Sequence, residues 1–132
     1  DEATIEKLLR ELSKLGPRKV ILTGISFKTD KIGLAYFDKE TNKTTYLMRK
    51  SYKSHFYGSG DLVTAILASG YFHHLNLLKV ANLALDFMDQ VLSSTLASGR
   101  PLKYGLCYEP HIGYLFNGIN ELLEEKMIIL VN

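Results

Sequence analysis

The first apolar pattern in the chain has the spacing of a helix. Large aliphatic residues recur every three or four positions near its start, at Ile5, Leu8, Leu9, Leu12 and Leu15. This spacing places them on one face and predicts an amphipathic helix over 3–15. Gly16-Pro17 follows, and we expect this pair to end the helix.

Shorter apolar stretches after this helix indicate strands. Lys19–Thr23 is a compact apolar run after a tight link, which predicts a buried parallel strand. Ile32–Phe37 and Thr44–Met48 carry β-forming residues on either side of the polar segment 39–43, which predicts a hairpin. The next stretch, Tyr52–Tyr57, is expected to be extended.

The second half of the chain is dominated by patterns typical of helices. Helices are predicted at 61–72 and at about 76–98, separated by the connection His73–Asn76. The remaining predictions are a loop at Pro101–Gly105, a helix at Ile119–Lys126 and a terminal strand at Met127–Val131. A helix, a strand, an antiparallel hairpin and further helices together predict an α/β domain with a partly antiparallel sheet.

The composition is typical of one globular domain. The chain has 132 residues, 46% of them hydrophobic and 23% charged, which is enough for a domain with its own core over 1–132. A net charge of +2 with scattered Lys and Arg argues against a nucleic-acid partner, and no apolar run is long enough for a membrane span. The lone Cys107 excludes an intrachain disulfide and fits a reducing compartment, so we expect a cytoplasmic protein.

The candidate chemistry is concentrated in Gly58-Ser59-Gly60-Asp61, directly before a predicted helix. Two glycines let the backbone turn and approach a ligand closely, and a helix N-terminus attracts anions. Asp61 would be repelled by a bound phosphate, so its presence needs a reason. Asp61 is either a helix N-cap or a base that takes a proton from an attacking hydroxyl.

Two other features have weaker interpretations. Thr23 lies at the predicted C-terminal end of a strand, where ligands gather in open α/β sheets, but it is equally well explained as a β-branched strand residue. The four histidines and Cys107 show no metal-ligand spacing, so no metal held by protein side chains is expected.

The glycine motif resembles the Gly-Thr/Ser-Gly-Asp signature of ribokinase-like small-molecule kinases. Its surroundings are similar to those of pyridoxal/pyridoxamine kinases in three places: the strand Val20–Gly24, the approach His55–Tyr57 and the late helix Ala81–Thr95. The resemblance covers most of residues 17–117. It implies the C-terminal half of a ribokinase-like α/β/α sandwich, with the N-terminal half of the kinase absent.

The resemblance also implies roles for individual residues. Asp61 would be the catalytic base, and Gly58, Ser59 and Gly60 would form an anion hole. Thr23 and Gly24 would lie near the nucleotide phosphates. The apolar residues Ala81, Leu85 and Met88 would form part of an adenine pocket, unless they are simply core residues.

The implied reaction is transfer of a phosphoryl group from ATP, with Mg²⁺, to the 5′-hydroxymethyl group of pyridoxal, pyridoxine or pyridoxamine. A monovalent cation such as K⁺ is expected near the anion hole. Because the vitamer-binding half is absent, we expect the isolated chain to be inactive. Its incomplete sheet is expected to favour a homo-oligomer. The alternatives are a hydroxymethylpyrimidine or sugar kinase of the same superfamily, and a non-catalytic nucleotide-binding or assembly domain.

Overall fold

Within its described residues, the chain contains four α-helices and three β-strands. The computed structural model describes residues 1–28 and 30–131, the last four of these by their backbone alone. The elements, in order, are α1 (Glu2–Lys14), β1 (Lys19–Lys28), β2 (Lys31–Asp38), β3 (Lys43–Lys50), α2 (Ser59–Phe72), α3 (Leu77–Ala97) and α4 (Ile112–Val131). They divide into two units, residues 1–53 and residues from 54 onward, which are described separately.

The first unit contains an antiparallel sheet with the strand order β1-β2-β3. The predicted hairpin is confirmed: β2 pairs with β3 from Lys31↔Lys50 to Asp38↔Lys43. The prediction of a short, buried, parallel strand at Lys19–Thr23 is wrong within the described sheet. β1 continues to Lys28, pairs antiparallel with β2 and is mostly exposed. Ladder hydrogen bonds to β2 extend the strand through polar residues that its apolar run did not include.

Helix α1 covers one face of this sheet. The fully buried Leu9 packs in a cluster with Ile25 of β1 and with Ala35 and Phe37 of β2. Burying large aliphatic and aromatic side chains is worth about 1.5–3 kcal/mol each, so this cluster holds the helix against the sheet. The predicted amphipathic helix at 3–15 is therefore confirmed.

The second unit is helical, and its central helix is α3, which contacts α2 and α4. Glycines allow close approach on both sides. A Cβ added to Gly70 of α2 would lie 2.7 Å from Cγ2 of Val80, and one added to Gly118 of α4 would lie 2.4 Å from Cδ1 of Leu83. The tight fit of α2 against α3 fixes the direction of α2, whose first residues carry the glycine motif.

Two further predictions from the sequence are wrong. Tyr52–Tyr57 is irregular rather than extended, with Lys53 in a left-handed conformation at φ 51°. Met127–Val131 continues helix α4 instead of forming a strand, because a five-residue apolar run fits either structure and an established helix propagates readily.

Pro101–Gly105 contains a short 3₁₀ turn, Leu102–Tyr104. Among the described residues, none of the helices is long and apolar enough to cross a membrane.

Candidate active site at the start of helix α2

Helix α2 begins without the side-chain cap that the helices α1 and α3 possess. Asp1 accepts a hydrogen bond from the Thr4 N–H at 2.8 Å, and Asn76 accepts one from the Lys79 N–H at 3.1 Å. The N-cap of α2 is Gly58, which has no side chain to offer and adopts a left-handed conformation at φ 86°. Only glycine takes this conformation without strain. Gly58 therefore allows a sharp turn before α2 but provides no side-chain cap for the helix.

The consequence is a set of backbone donors that point away from the helix. The first N–H groups of any helix have no partner within it. The first helical bond of α2 runs from the Leu62 N–H to the Gly58 carbonyl at 3.0 Å. Within the described part of the chain, no hydrogen bond engages the N–H groups of Ser59, Gly60 or Asp61. Three free donors at the positive end of a helix dipole fit a phosphate group.

Gly60 adds a second observation that fits a closely approaching ligand. Its φ is not in the left-handed region, and a Cβ built on it would meet no atom within 4 Å. The fold itself therefore does not require glycine here. A side chain at Gly60 would instead project into open space in the first turn of the helix.

Asp61 lies in the first turn of α2, and its side chain is exposed. It is not the N-cap, so the interpretation of Asp61 as a helix cap is wrong. Among the described residues, its carboxylate has no hydrogen-bonding or ion-pair partner. Such a group remains free to accept a proton.

A widely open surface cavity of about 490 Å³ adjoins the motif. Gly58 and Asp61 form part of its wall, and the other lining residues are Tyr57, Leu62, Leu106 and Tyr108. Its size is within the range of small-molecule sites, about 300–1,000 Å³. The cavity therefore combines one carboxylate with aromatic and aliphatic surfaces.

Sequence reasoning missed Leu106 and Tyr108 as cavity residues. They follow α3 in an irregular segment, after the 3₁₀ turn at Leu102–Tyr104, and no periodicity identifies them. The available signal was the occurrence of large apolar and aromatic residues in a segment bounded by Gly105 and Pro110. Apolar residues in an otherwise loop-like segment need a surface to pack against.

Thr23 and Gly24 belong to the first unit, whereas the glycine motif belongs to the second. The expectation that Thr23 ends a strand is wrong, since β1 continues beyond it and Thr23 pairs with Leu34 of β2. Gly24 has φ 72° and marks a register shift between Thr23 and Ile25. This irregularity has the character of a β-bulge, a device that redirects side chains near functional sites. The role of both residues in nucleotide binding stays a prediction.

The residues predicted to line an adenine pocket lie on α3, in the same unit as the motif. Ala81 is fully buried and Met88 nearly so, which gives both the position of core residues. Leu85 is half-buried. Of these three, Leu85 alone retains substantial surface for a ligand, and its role stays a prediction. Among the described residues, no group of three or more His, Cys, Asp or Glu side chains could hold a metal ion.

The sequence matches no protein-family model and no curated protein sequence. Its structure is similar to that of a pyridoxal kinase from Lactobacillus plantarum, with a TM-score of 0.77 and 21% identity, over 89% of this chain and 42% of that one. It is also similar to a protein assigned as a phosphomethylpyrimidine kinase from Bacteroides thetaiotaomicron VPI-5482, with a TM-score of 0.76 and 21% identity, over 89% of this chain and 39% of that one.

A second crystal form of the Bacteroides protein, obtained with pyridoxal, matches with a TM-score of 0.78 and 20% identity, over 87% of this chain and 41% of that one. The chain thus spans about two fifths of the length of these neighbours. The predicted resemblance is confirmed at the level of fold. Over the part that it spans, the chain has the mixed α/β, ribokinase-like fold of these kinases.

Proposed function

We propose that this chain is the part of a ribokinase-like small-molecule kinase that supplies the phosphate site and the catalytic base. One observation carries the proposal: in the first turn of α2, beside a cavity, N–H groups and a carboxylate occur together that have no partner among the described residues. Either feature alone is common in helices. Their combination serves the two requirements of phosphoryl transfer, neutralisation of phosphate charge and removal of a hydroxyl proton.

Asp61 is the proposed base. As the oxygen of the acceptor hydroxyl bonds to phosphorus, its proton passes to the Asp61 carboxylate, and the departing oxygen keeps the electron pair of the broken P–O bond. The N–H groups of Ser59, Gly60 and Asp61 donate to the oxygens of the transferred group, whose negative charge they stabilise. ATP would supply the phosphoryl group, Mg²⁺ would neutralise part of the charge on its phosphates, and a monovalent cation such as K⁺ is proposed near the anion hole.

The proposed acceptor is the 5′-hydroxymethyl group of pyridoxal, pyridoxine or pyridoxamine. One structural neighbour is a pyridoxal kinase, and another was crystallised with pyridoxal. The aromatic and aliphatic walls of the cavity suit an aromatic heterocycle better than a sugar, because they offer flat apolar surface. A hydroxymethylpyrimidine is the second candidate, favoured by the assignment of the Bacteroides neighbour as a phosphomethylpyrimidine kinase.

We further propose that the complete active site needs protein beyond these 132 residues, which correspond to two fifths of the neighbouring kinases. The N-terminal half of the kinase would then supply the remaining contacts to the vitamer. In the described sheet, β1 and β3 are the two edge strands, and each can pair with a further strand. The isolated chain should therefore self-associate and show little turnover.

The test is phosphorylation by the full-length protein that contains this chain. ATP and Mg²⁺ are supplied with pyridoxal, with hydroxymethylpyrimidine or with a sugar, and phosphorylated product is measured by mass spectrometry. Vitamer phosphorylation that requires Asp61 supports the proposal, and phosphorylation of hydroxymethylpyrimidine alone moves it to the second candidate. ATP binding without turnover of any acceptor would favour a non-catalytic nucleotide-binding domain. Light scattering of the isolated chain tests its self-association.

A further inference from the structure

The hydroxyl of Thr95 connects helix α3 to the segment that forms one wall of the cavity. Thr95 is only 4% exposed and lies near the C-terminal end of α3. Its Oγ1 donates to the Val91 carbonyl at 2.7 Å and accepts a hydrogen bond from the Cys107 N–H at 2.9 Å. Both hydrogen-bonding directions of the hydroxyl are therefore used.

The bond from Cys107 matters because of its neighbours in sequence. Cys107 lies between Leu106 and Tyr108, both of which line the cavity beside Asp61. Fixing the Cys107 amide fixes the backbone from which these two side chains extend. The segment otherwise lacks regular secondary structure that would hold it in place.

A second attachment follows directly. Oγ of Ser94, the residue before Thr95, lies 2.6 Å from Nε2 of His111, and the His111 N–H donates to the Tyr108 carbonyl at 3.0 Å. Tyr108 is thus bracketed by two side chains of α3. The adjacent hydroxyl residues Thr95 and Ser94 thus contact the middle of the segment Leu106–Tyr108 and the turn that follows it.

Ser13 provides a comparison, because its hydroxyl bonds only within its own helix among the described residues. It is also buried, at 5% exposure, and its Oγ donates to the Arg10 carbonyl at 2.8 Å within α1. Among the described residues, its hydroxyl receives no bond from a loop amide. Ser13 therefore serves as a matched control for the loss of a buried hydroxyl without loss of a wall attachment.

We propose that Thr95 is a positioning residue that sets the placement of the Leu106–Tyr108 wall, and thereby the affinity of the cavity for the ring of its substrate. The inference rests on the proposed function, because it assigns this cavity to the acceptor. Thr95 acts through the wall and does not touch the reacting atoms. Its removal should therefore change substrate binding more than the chemical step.

The test compares Thr95→Val with Thr95→Ser in the full-length protein. Valine has the shape of threonine but cannot accept the Cys107 bond, whereas serine can. For Thr95→Val we expect KM for pyridoxal to rise about tenfold with kcat changed by less than about threefold, the effect of one lost hydrogen bond. Thr95→Ser should restore a KM close to that of the wild type, and Ser13→Ala should leave KM unchanged.

A second readout does not depend on kinase activity. The rate at which Cys107 reacts with a thiol reagent, followed by peptide-resolved mass spectrometry, reports the attachment of the wall. It should rise about tenfold in Thr95→Val and remain unchanged in Thr95→Ser and Ser13→Ala. Absence of all kinase activity combined with this labelling pattern would reject the proposed function and keep the wall assignment.

Two results would overturn the positioning role. One is a Thr95→Val variant with unchanged Cys107 labelling and unchanged KM. The other is an equal change of KM in the valine and serine variants. If Thr95→Val does not fold, hydrogen exchange in the wild type decides: a Cys107 N–H that exchanges as fast as an unprotected loop amide would contradict the proposal.

Discussion

Two carboxylates at helical positions, Glu6 and Asp61, differ in every contact that matters for their chemistry. Glu6 accepts hydrogen bonds from the Tyr46 hydroxyl at 2.8 Å, the Thr44 hydroxyl at 2.9 Å and Nη2 of Arg10 at 3.2 Å. Asp61 has no such partner among the described residues and lies exposed beside a cavity. The first carboxylate is held in place, and the second is free to react.

The electrostatics of Glu6 follow from these contacts. Partial burial raises the pKa of its carboxyl, but the bonds from Tyr46 and Thr44 and the nearby Arg10 outweigh it and hold the pKa below its ordinary value. Burial and the adjacent Glu6 carboxylate raise the pKa of the Tyr46 hydroxyl well above its ordinary value. Glu6, with its three donors, ties α1 to β3, whereas Asp61, which has no partner among the described residues, is available for the proposed proton transfer.

The largest expected effect comes from Asp61→Asn. We expect kcat for vitamer phosphorylation to fall by about 10²–10⁴, because asparagine cannot accept the proton of the hydroxyl. The affinity for ATP should stay similar or become slightly tighter, since a negative charge beside the phosphate is removed. Steady-state kinetics and nucleotide titration measure both quantities. Near-normal turnover at saturating substrate would show that Asp61 is not the base and would end the contrast with Glu6.

Gly60 offers the next largest effect. Gly60→Val should reduce turnover or nucleotide affinity on the order of tenfold to a hundredfold, because a side chain would displace the phosphate from the free donors. Ser59→Ala is the control and should have little effect, since Ser59 is expected to contribute its backbone. Equal and mild effects of the two changes in ATP titration would contradict the phosphate site.

The Gly60→Ala variant separates function from folding. Its added Cβ meets nothing, and alanine favours a helix over glycine by about 0.5–1 kcal/mol. We therefore expect thermal unfolding at an equal or higher temperature together with weaker nucleotide binding. A lower melting temperature would mean that the fold, rather than a ligand, requires glycine at this position.

Glu6→Gln should affect stability and leave kinetics unchanged. Glutamine keeps the shape of the side chain but loses the charge that three donors address, so we expect about 1–3 kcal/mol less stability against denaturant. The same measurement on Asp61→Asn should show little change. If both variants lose similar stability, the Asp61 carboxylate also stabilises the fold, and the contrast with Glu6 is wrong.

The smallest effect is the pH dependence of stability. Because the pKa of Glu6 is lowered by folding, its contribution is fully present above its ordinary value of 4.5 and is lost as pH falls through the lower folded value. The stability difference between wild type and Glu6→Gln should therefore shrink as pH is lowered from 7 to 3. A difference that grows over this range, measured by thermal unfolding, would contradict the assigned contacts.

The elements that hydrophobic periodicity describes were predictable from sequence. The helices at 3–15, 61–72 and 76–98 and the hairpin of β2 and β3 are confirmed with small shifts at their ends. The direction, length and exposure of β1 were not predictable, because an apolar run predicts a strand without specifying which strand it pairs with or what covers it. The same ambiguity led to the wrong strand at Met127–Val131.

The part of the candidate site that is formed by consecutive residues was predictable from sequence, whereas the part that is formed by residues distant in the chain was not. The four residues of the motif are consecutive, so their place at a helix start could be inferred. Leu106 and Tyr108 join them through tertiary packing, which leaves no trace in spacing. The contact between Glu6 and Tyr46 joins residues 40 positions apart and was missed for the same reason.

The close contact between Gly70 of α2 and Val80 of α3 limits which substitutions at Gly70 would leave the glycine motif in place. At about 1.5 Å of rise per residue, Asp61 lies roughly 14 Å along the α2 axis from this crossing. A helix is stiff over that length, so we expect a bulkier residue at Gly70 to tilt α2 and displace its first turn. The direction of the first turn of α2, which carries the glycine motif, thus depends on Gly70, a residue with no proposed role in the reaction.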